Sequence, residues 1–145
     1  MKVEYLKITA VLMMLASASA FAGKSVDERW DIDANASVSI ENIAGSIEIE
    51  GWDRSEAYLT GELGNSVDEL EISASDSSLQ ITVANRNERN VDDTELKLMI
   101  PEGASVDATA VSADIMVKGL DNEKLTASSV SGNVEVSGSS RRVSI

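Results

Sequence analysis

The sequence predicts an all-β fold of the solenoid kind, a single-stranded β-helix with short strands and 19-residue rungs. An antiparallel β-sandwich is the alternative. Three observations lead there. First, a short unit recurs: Val130-Ser131-Gly132-Asn133-Val134-Glu135-Val136-Ser137-Gly138, then Val111 to Gly119 and Ile43 to Gly51 in looser form. Second, apolar and polar residues alternate through most of the chain from Ser37 onward, the period of a half-buried strand. Third, Val111 and Val130, Ile115 and Val134, Val117 and Val136, and Gly119 and Gly138 are each 19 residues apart. Stacked coils at about 4.8 Å would turn those pairs into ladders of like side chains.

The start reads as a secretory signal peptide, residues 1–22. Lys2 and Lys7 make a short basic region diluted by Glu4, Ile8 to Ala20 is apolar or small, and Ala20-Phe21-Ala22 fits a small-x-small cleavage site before Gly23. A membrane anchor needs about 20 apolar residues, and this run is shorter. The expected product is therefore one exported domain, 23–145, periplasmic or extracellular, with no transmembrane segment left after cleavage. It has no Cys, so neither a disulfide nor a lipid attached at the cleavage site is available. Phe, Tyr and Trp together number five in the whole chain, so the core must be Val, Ile, Leu and Ala in thin regular layers. The formal charge is −13; losing Lys2, Lys7 and Glu4 leaves 10 basic and 24 acidic residues, or −14. That balance excludes nucleic acid and anionic lipid surfaces as partners.

The mature chain opens on a polar, acidic lead-in strand, Gly23 to Ala34. Asp31-Ile32-Asp33-Ala34-Asn35 begins like a calcium loop, but Ala36 stands where glycine is needed and Asn42 where the bidentate Glu belongs. Val38 and Ile40, then Ile47 and Ile49, share one strand face. Gly51-Trp52-Asp53 makes a corner, and Ala57 to Leu63 is the next strand. Leu70, Ile72 and Ala74 alternate with Glu71 and Ser73, Leu79, Ile81 and Val83 alternate with Gln80 and Thr82, and the tight polar turn Asp76-Ser77-Ser78 between them predicts an antiparallel hairpin. The charged stretch Ala84 to Asp93 is a solvated loop and the best single candidate for recognition. Leu96, Leu98 and Ile100 form a strand that Pro101 ends, since proline cannot donate to a ladder. In the last third, inward valines and isoleucines would form ladders, with glycines at the corners. Arg141 to Ile145 resembles the opening of a further rung, matching Lys124 to Ala127. The expectation is a fragment of a longer protein, or an end that docks on something.

The block Asn42-Ile43-Ala44-Gly45-Ser46-Ile47-Glu48-Ile49-Glu50-Gly51-Trp52-Asp53, the strand ending Ile100-Pro101 and the Val-Ser-Gly-x-Val repeat carry a resemblance. From Val38 to the end, the chain resembles a bacterial β-strand-repeat family of unknown function that is often labelled adhesin. The resemblance implies a β-helix at the cell envelope, with links in some members to envelope-stress systems. The chain departs from it at Ala113, where the first repeat would carry glycine, and in having fewer rungs. The family has no catalytic residues to transfer.

There is no His and no Cys, which removes imidazole-based triads, thiol nucleophiles and most zinc sites. Asp92 and Asp93 are neighbours on the chain and would point to opposite faces of a strand. Gly132-Asn133-Val134 lacks the second glycine and the helix of a phosphate cradle. No catalytic, cofactor-binding or metal-binding residue is assigned. Trp52 remains, either stacking on a sugar ring or capping the apolar stack. The expected function is a non-catalytic structural or adhesive module of the bacterial cell envelope, and the alternative is an accessory or sensor of an envelope-stress pathway. Its partners would be an envelope protein, a glycan, or a second copy through the open solenoid end.

Overall fold

The computed structural model describes residues 25–64, 67–85 and 93–145. The expected signal peptide lies outside them. The described residues form eight strands: β1 (Ser25–Asp31), β2 (Ser37–Trp52), β3 (Glu56–Glu62), β4 (Val67–Ala74), β5 (Ser78–Asn85), β6 (Thr94–Pro101), β7 (Ser105–Ser129) and β8 (Val134–Ser144). No helix among them is long and apolar enough to cross a membrane.

All eight strands belong to one sheet. With no second layer among the described residues, the sheet hides its apolar face by curling around it, which gives a nearly closed, barrel-like shape. The order is β1-β3-β6-β2-β5-β4, with β7 added beside β2 and β8 beside β7. Strand β2 is parallel to β5, β6 and β7, and β7 is parallel to β8. The pairs β1–β3, β3–β6 and β4–β5 are antiparallel.

This arrangement corrects the solenoid expectation. A solenoid stacks parallel coils throughout, whereas here β1, β3 and β4 run against their neighbours. The reason is the short connections. Residues 53–55 reverse the chain after β2, and residues 75–77 reverse it after β4, where the Ser75 amide donates to the Ser78 carbonyl at 2.8 Å. So tight a turn joins only antiparallel directions. The molecule is closer to the antiparallel β-sandwich given as the alternative, although it is one curled, mixed sheet rather than two antiparallel layers. Strand length differs too. Strands of a few residues were expected in the last third, but β7 runs for 25 residues by bending rather than stopping.

The expected hairpin forms, with Leu70 beside Val83, Ile72 beside Ile81 and Ala74 beside Leu79. The three copies of the recurrent unit lie side by side. Ile47 pairs with Ile115 and Ile115 with Val134; Ile49 pairs with Val117 and Val117 with Val136. On the other flank, Leu98 pairs with Ile49, Leu59 with Leu98, and Glu28 with Leu59. One inward row thus crosses six strands: Glu28, Leu59, Leu98, Ile49, Val117, Val136. Val111 and Val130 do not belong to any inward row, contrary to expectation. They are 48% and 80% exposed because the chain turns a corner between the buried Ala110 and Ala113.

Corners demand particular residues. At Gly45 the backbone has φ +113°, and a Cβ there would stand 2.3 Å from the Thr94 carbonyl oxygen. The Asn42 amide closes the same corner by donating to that carbonyl at 2.9 Å, while the Thr94 hydroxyl accepts from the Gly64 amide at 2.9 Å. At Gly51 a Cβ would stand 2.3 Å from the Gly119 carbonyl oxygen of the adjacent strand.

The core is aliphatic, with Ile40, Ile49, Leu59, Ile81, Leu98 and Ile100 fully buried. Trp30 is the one aromatic ring in it among the described residues. Glu28 faces the same interior and is 2% exposed. Burial, reinforced by the neighbouring Asp27, raises its carboxyl above the usual range.

Two outcomes follow. Gly45→Ala combines forbidden φ with a backbone clash and should cost about 1–3 kcal/mol in chemical denaturation. Glu28 is an acid whose folded pKa is raised, so its penalty is absent below the unfolded pKa, builds as pH rises from there, and is complete once the pH exceeds the folded one. Glu28→Gln should therefore be more stable than the parent at neutral pH, with the gap closing as the pH falls into the ordinary carboxylate range. Denaturation curves at both ends of that range check this.

Candidate functional site

The end of β2 meets the end of β6 in register, Trp52 beside Pro101. The chain then turns away on both strands, through 53–55 and 102–104. Backbone bonds tie the turns together: the Glu102 amide donates to the Trp52 carbonyl at 2.9 Å, and the Asp121 amide of β7 donates to the Glu102 carbonyl at 2.8 Å. The result is an open groove of about 250 Å³. Trp52, Asp53, Arg54, Pro101, Glu102 and Asp121 supply its chemistry.

Trp52 is held in place rather than loosely exposed. Its indole N–H donates to the Glu56 carbonyl at 2.7 Å. The Arg54 guanidinium lies 5.1 Å from the ring centroid, within cation–π range. The indole is half-buried, leaving part of its surface to the groove. Three carboxylates and one guanidinium surround it, so the groove is rich in acceptors and poor in positive charge. Trp30, in the interior, fills the core; Trp52 belongs to the surface.

A second charged cluster lies on the outer face of β6, β2 and β7. Lys118 Nζ is 3.0 Å from Glu48 Oε1 and 3.9 Å from Glu50 Oε2, and Lys97 Nζ is 3.9 Å from the same Glu50 oxygen. The hydrogen bond to Glu48, with the charges of Glu48 and Glu50, holds the Lys118 ammonium above the usual lysine range. These side chains are solvated and satisfy one another, as surface pairs do.

Other sequence-derived candidates fare unevenly. Residues 86–92, most of the expected recognition loop and with it Asp92, lie outside the described residues. Asp31 and Asp33 are both exposed, and the Asp33 amide donates to the Asp76 carbonyl at 2.7 Å. Among the described residues no group of three or more His, Cys, Asp or Glu side chains could hold a metal ion. Sequence reasoning singled out Trp52 but missed Arg54, Glu102 and Asp121 as its companions. One signal was there: Gly119-Leu120-Asp121 repeats the Gly51-Trp52-Asp53 spacing, so the recurrent unit brings Asp121 to the same corner.

No protein-family model matches the chain. No curated protein matches it in sequence. Several solved structures share part of its strand arrangement. One is a candidate cell adhesion protein from Clostridium sporogenes, at 9% identity and TM-score 0.48, covering 79% of this chain and 59% of that one. Another is a candidate adhesin from Bacteroides fragilis, at 12% identity and TM-score 0.47, covering 84% and 66%. A third is a candidate lipid binding protein from Parabacteroides distasonis, at 13% identity and TM-score 0.40, covering 83% and 60%. The chain therefore spans between 59% and 66% of the length of these three structures.

Proposed function

We propose that the protein is an exported, non-catalytic surface module of the bacterial envelope that makes adhesive contact with a glycan through the Trp52 groove. The half-exposed, tethered indole carries this reading. A sugar ring presents C–H groups on one face and hydroxyls around its rim. The indole suits the face, and Asp53, Glu102 and Asp121 suit the rim as acceptors. Three acids against one Arg favour neutral or amino-bearing sugars over uronic or sialic acids. Export is supported by the signal-like residues 1–22, and the lack of His and Cys narrows the chemistry open to the chain. A contact of this size is weak alone, as suits a surface module presented in many copies.

Glycan-array screening of the purified protein should give binders among neutral or amino sugars. Trp52→Ala should weaken them at least tenfold, about 1.4 kcal/mol, with the melting temperature little changed. Binding that survives Trp52→Ala would remove the groove from the account. A pulldown from envelope extracts dominated by a membrane-bound regulator, with no glycan bound, would favour the envelope-stress reading instead.

A further inference from the structure

The Trp52 groove already holds one cation. The Arg54 guanidinium lies 5.1 Å from the centroid of the indole that the groove offers to a ligand. Asp53, Glu102 and Asp121 line the same groove. Among the described residues, no ion pair joins Arg54 to any of them. Elsewhere on the surface, opposite charges within reach do pair. Lys118 meets Glu48 at 3.0 Å, and Arg29 meets Glu56 at 3.0 Å. In the groove the guanidinium goes to the ring instead, and three carboxylates keep no cation of their own.

That arrangement makes two demands on a ligand. The indole takes a face of C–H groups or a cation, and the carboxylates take positive charge. A sugar ring with a free amine meets both demands at once. Its C–H face covers the indole, and its ammonium makes charge-assisted hydrogen bonds to the acids. A neutral ring meets only the first demand, and so does an N-acetylated one, because an acetamide carries no charge. The groove, about 250 Å³, suits one such ring. The chain's formal charge of −13 adds a longer-range attraction of the same sign. Arg54 is exposed and sits on the turn 53–55, so it can leave the indole without disturbing a strand.

We propose that the ligand of the Trp52 groove is a sugar ring bearing a free amine, whose ammonium displaces the Arg54 guanidinium from the indole and pairs with the carboxylates around it. This rests on the glycan reading of the groove and narrows it. The acetylated form of the same sugar is a poor ligand, and Arg54 competes with the ligand rather than holding it.

Calorimetric titration with glucosamine oligomers of one length, N-acetylated or fully deacetylated, tests it. The deacetylated oligomer should bind at least about tenfold tighter at low salt, with the margin shrinking as salt is added. Arg54→Gln should tighten it about two- to fivefold, the range of an exposed cation–π contact. Glu102→Gln combined with Asp121→Asn should cut the preference for the amine at least about fivefold. All three side chains are exposed, so the melting temperatures should stay close to the parent's. Equal binding of the two oligomers, or tighter binding of the acetylated one, overturns the proposal. So does an Arg54→Gln variant that binds more weakly than the parent. So does trilysine binding as tightly through Trp52, since charge alone would then suffice. The first two outcomes leave the glycan reading standing where Trp52→Ala still removes binding of a sugar. A protein that binds no sugar through Trp52 loses both.

Discussion

Strand β2 is bonded on both sides along most of its length, and that double pairing is the constraint from which the rest of the structure follows. One flank is occupied by β7 beside residues 37–50. The other is divided, with β5 beside residues 37–41 and β6 beside residues 45–52. The change of neighbour falls at the corner where Asn42 and Gly45 meet Thr94. A strand with two successive neighbours must bend between them, and the bend turns the sheet around a core. Since aromatic residues are scarce and cysteine is absent, stability rests on regular rows of branched aliphatic side chains held in register by the backbone.

The same geometry explains where function collects. Rows along the strands are devoted to burial, and their outward positions satisfy one another, as Glu48, Glu50, Lys97 and Lys118 do. Corners are different. There the chain leaves the sheet, side chains from separated segments meet, and the backbone bonds that join the turns hold them in place. Trp52, Arg54, Glu102 and Asp121 come from three segments and converge for this reason.

Much of the strand content was legible because alternation reports which face of a strand is buried. The hairpin of β4 and β5 could be read as antiparallel, since a short polar turn leaves few choices. The lateral match of the recurrent units was also visible, from Ile115 and Val134 at a fixed offset. What alternation does not report is the partner. Nothing local in Glu56 to Glu62 says that β3 will lie between β1 and β6, or that it will run antiparallel to both. Two parallel units were therefore extended into a whole parallel stack. Val111 and Val130 misled for a related reason: their spacing matches the ladder, but both sit at a corner, where counting along the strand loses phase. The groove was half visible, because Trp52 is conspicuous and its companions are assembled by pairing.

The position of β2 has a kinetic side. Residue 47 finds its β7 neighbour at residue 115, 68 positions later in the chain. The closing contact is among the most distant the molecule makes, while the short-range β4–β5 hairpin can form alone. Loop closure over such a distance must precede any reward from the contact, so chains of this topology fold slowly for their size. Until β7 arrives, the inward face of β2 is an uncovered aliphatic strip. The interval between the appearance of Ile47 and the docking of Ile115 is therefore the one in which that strip is open to misassembly.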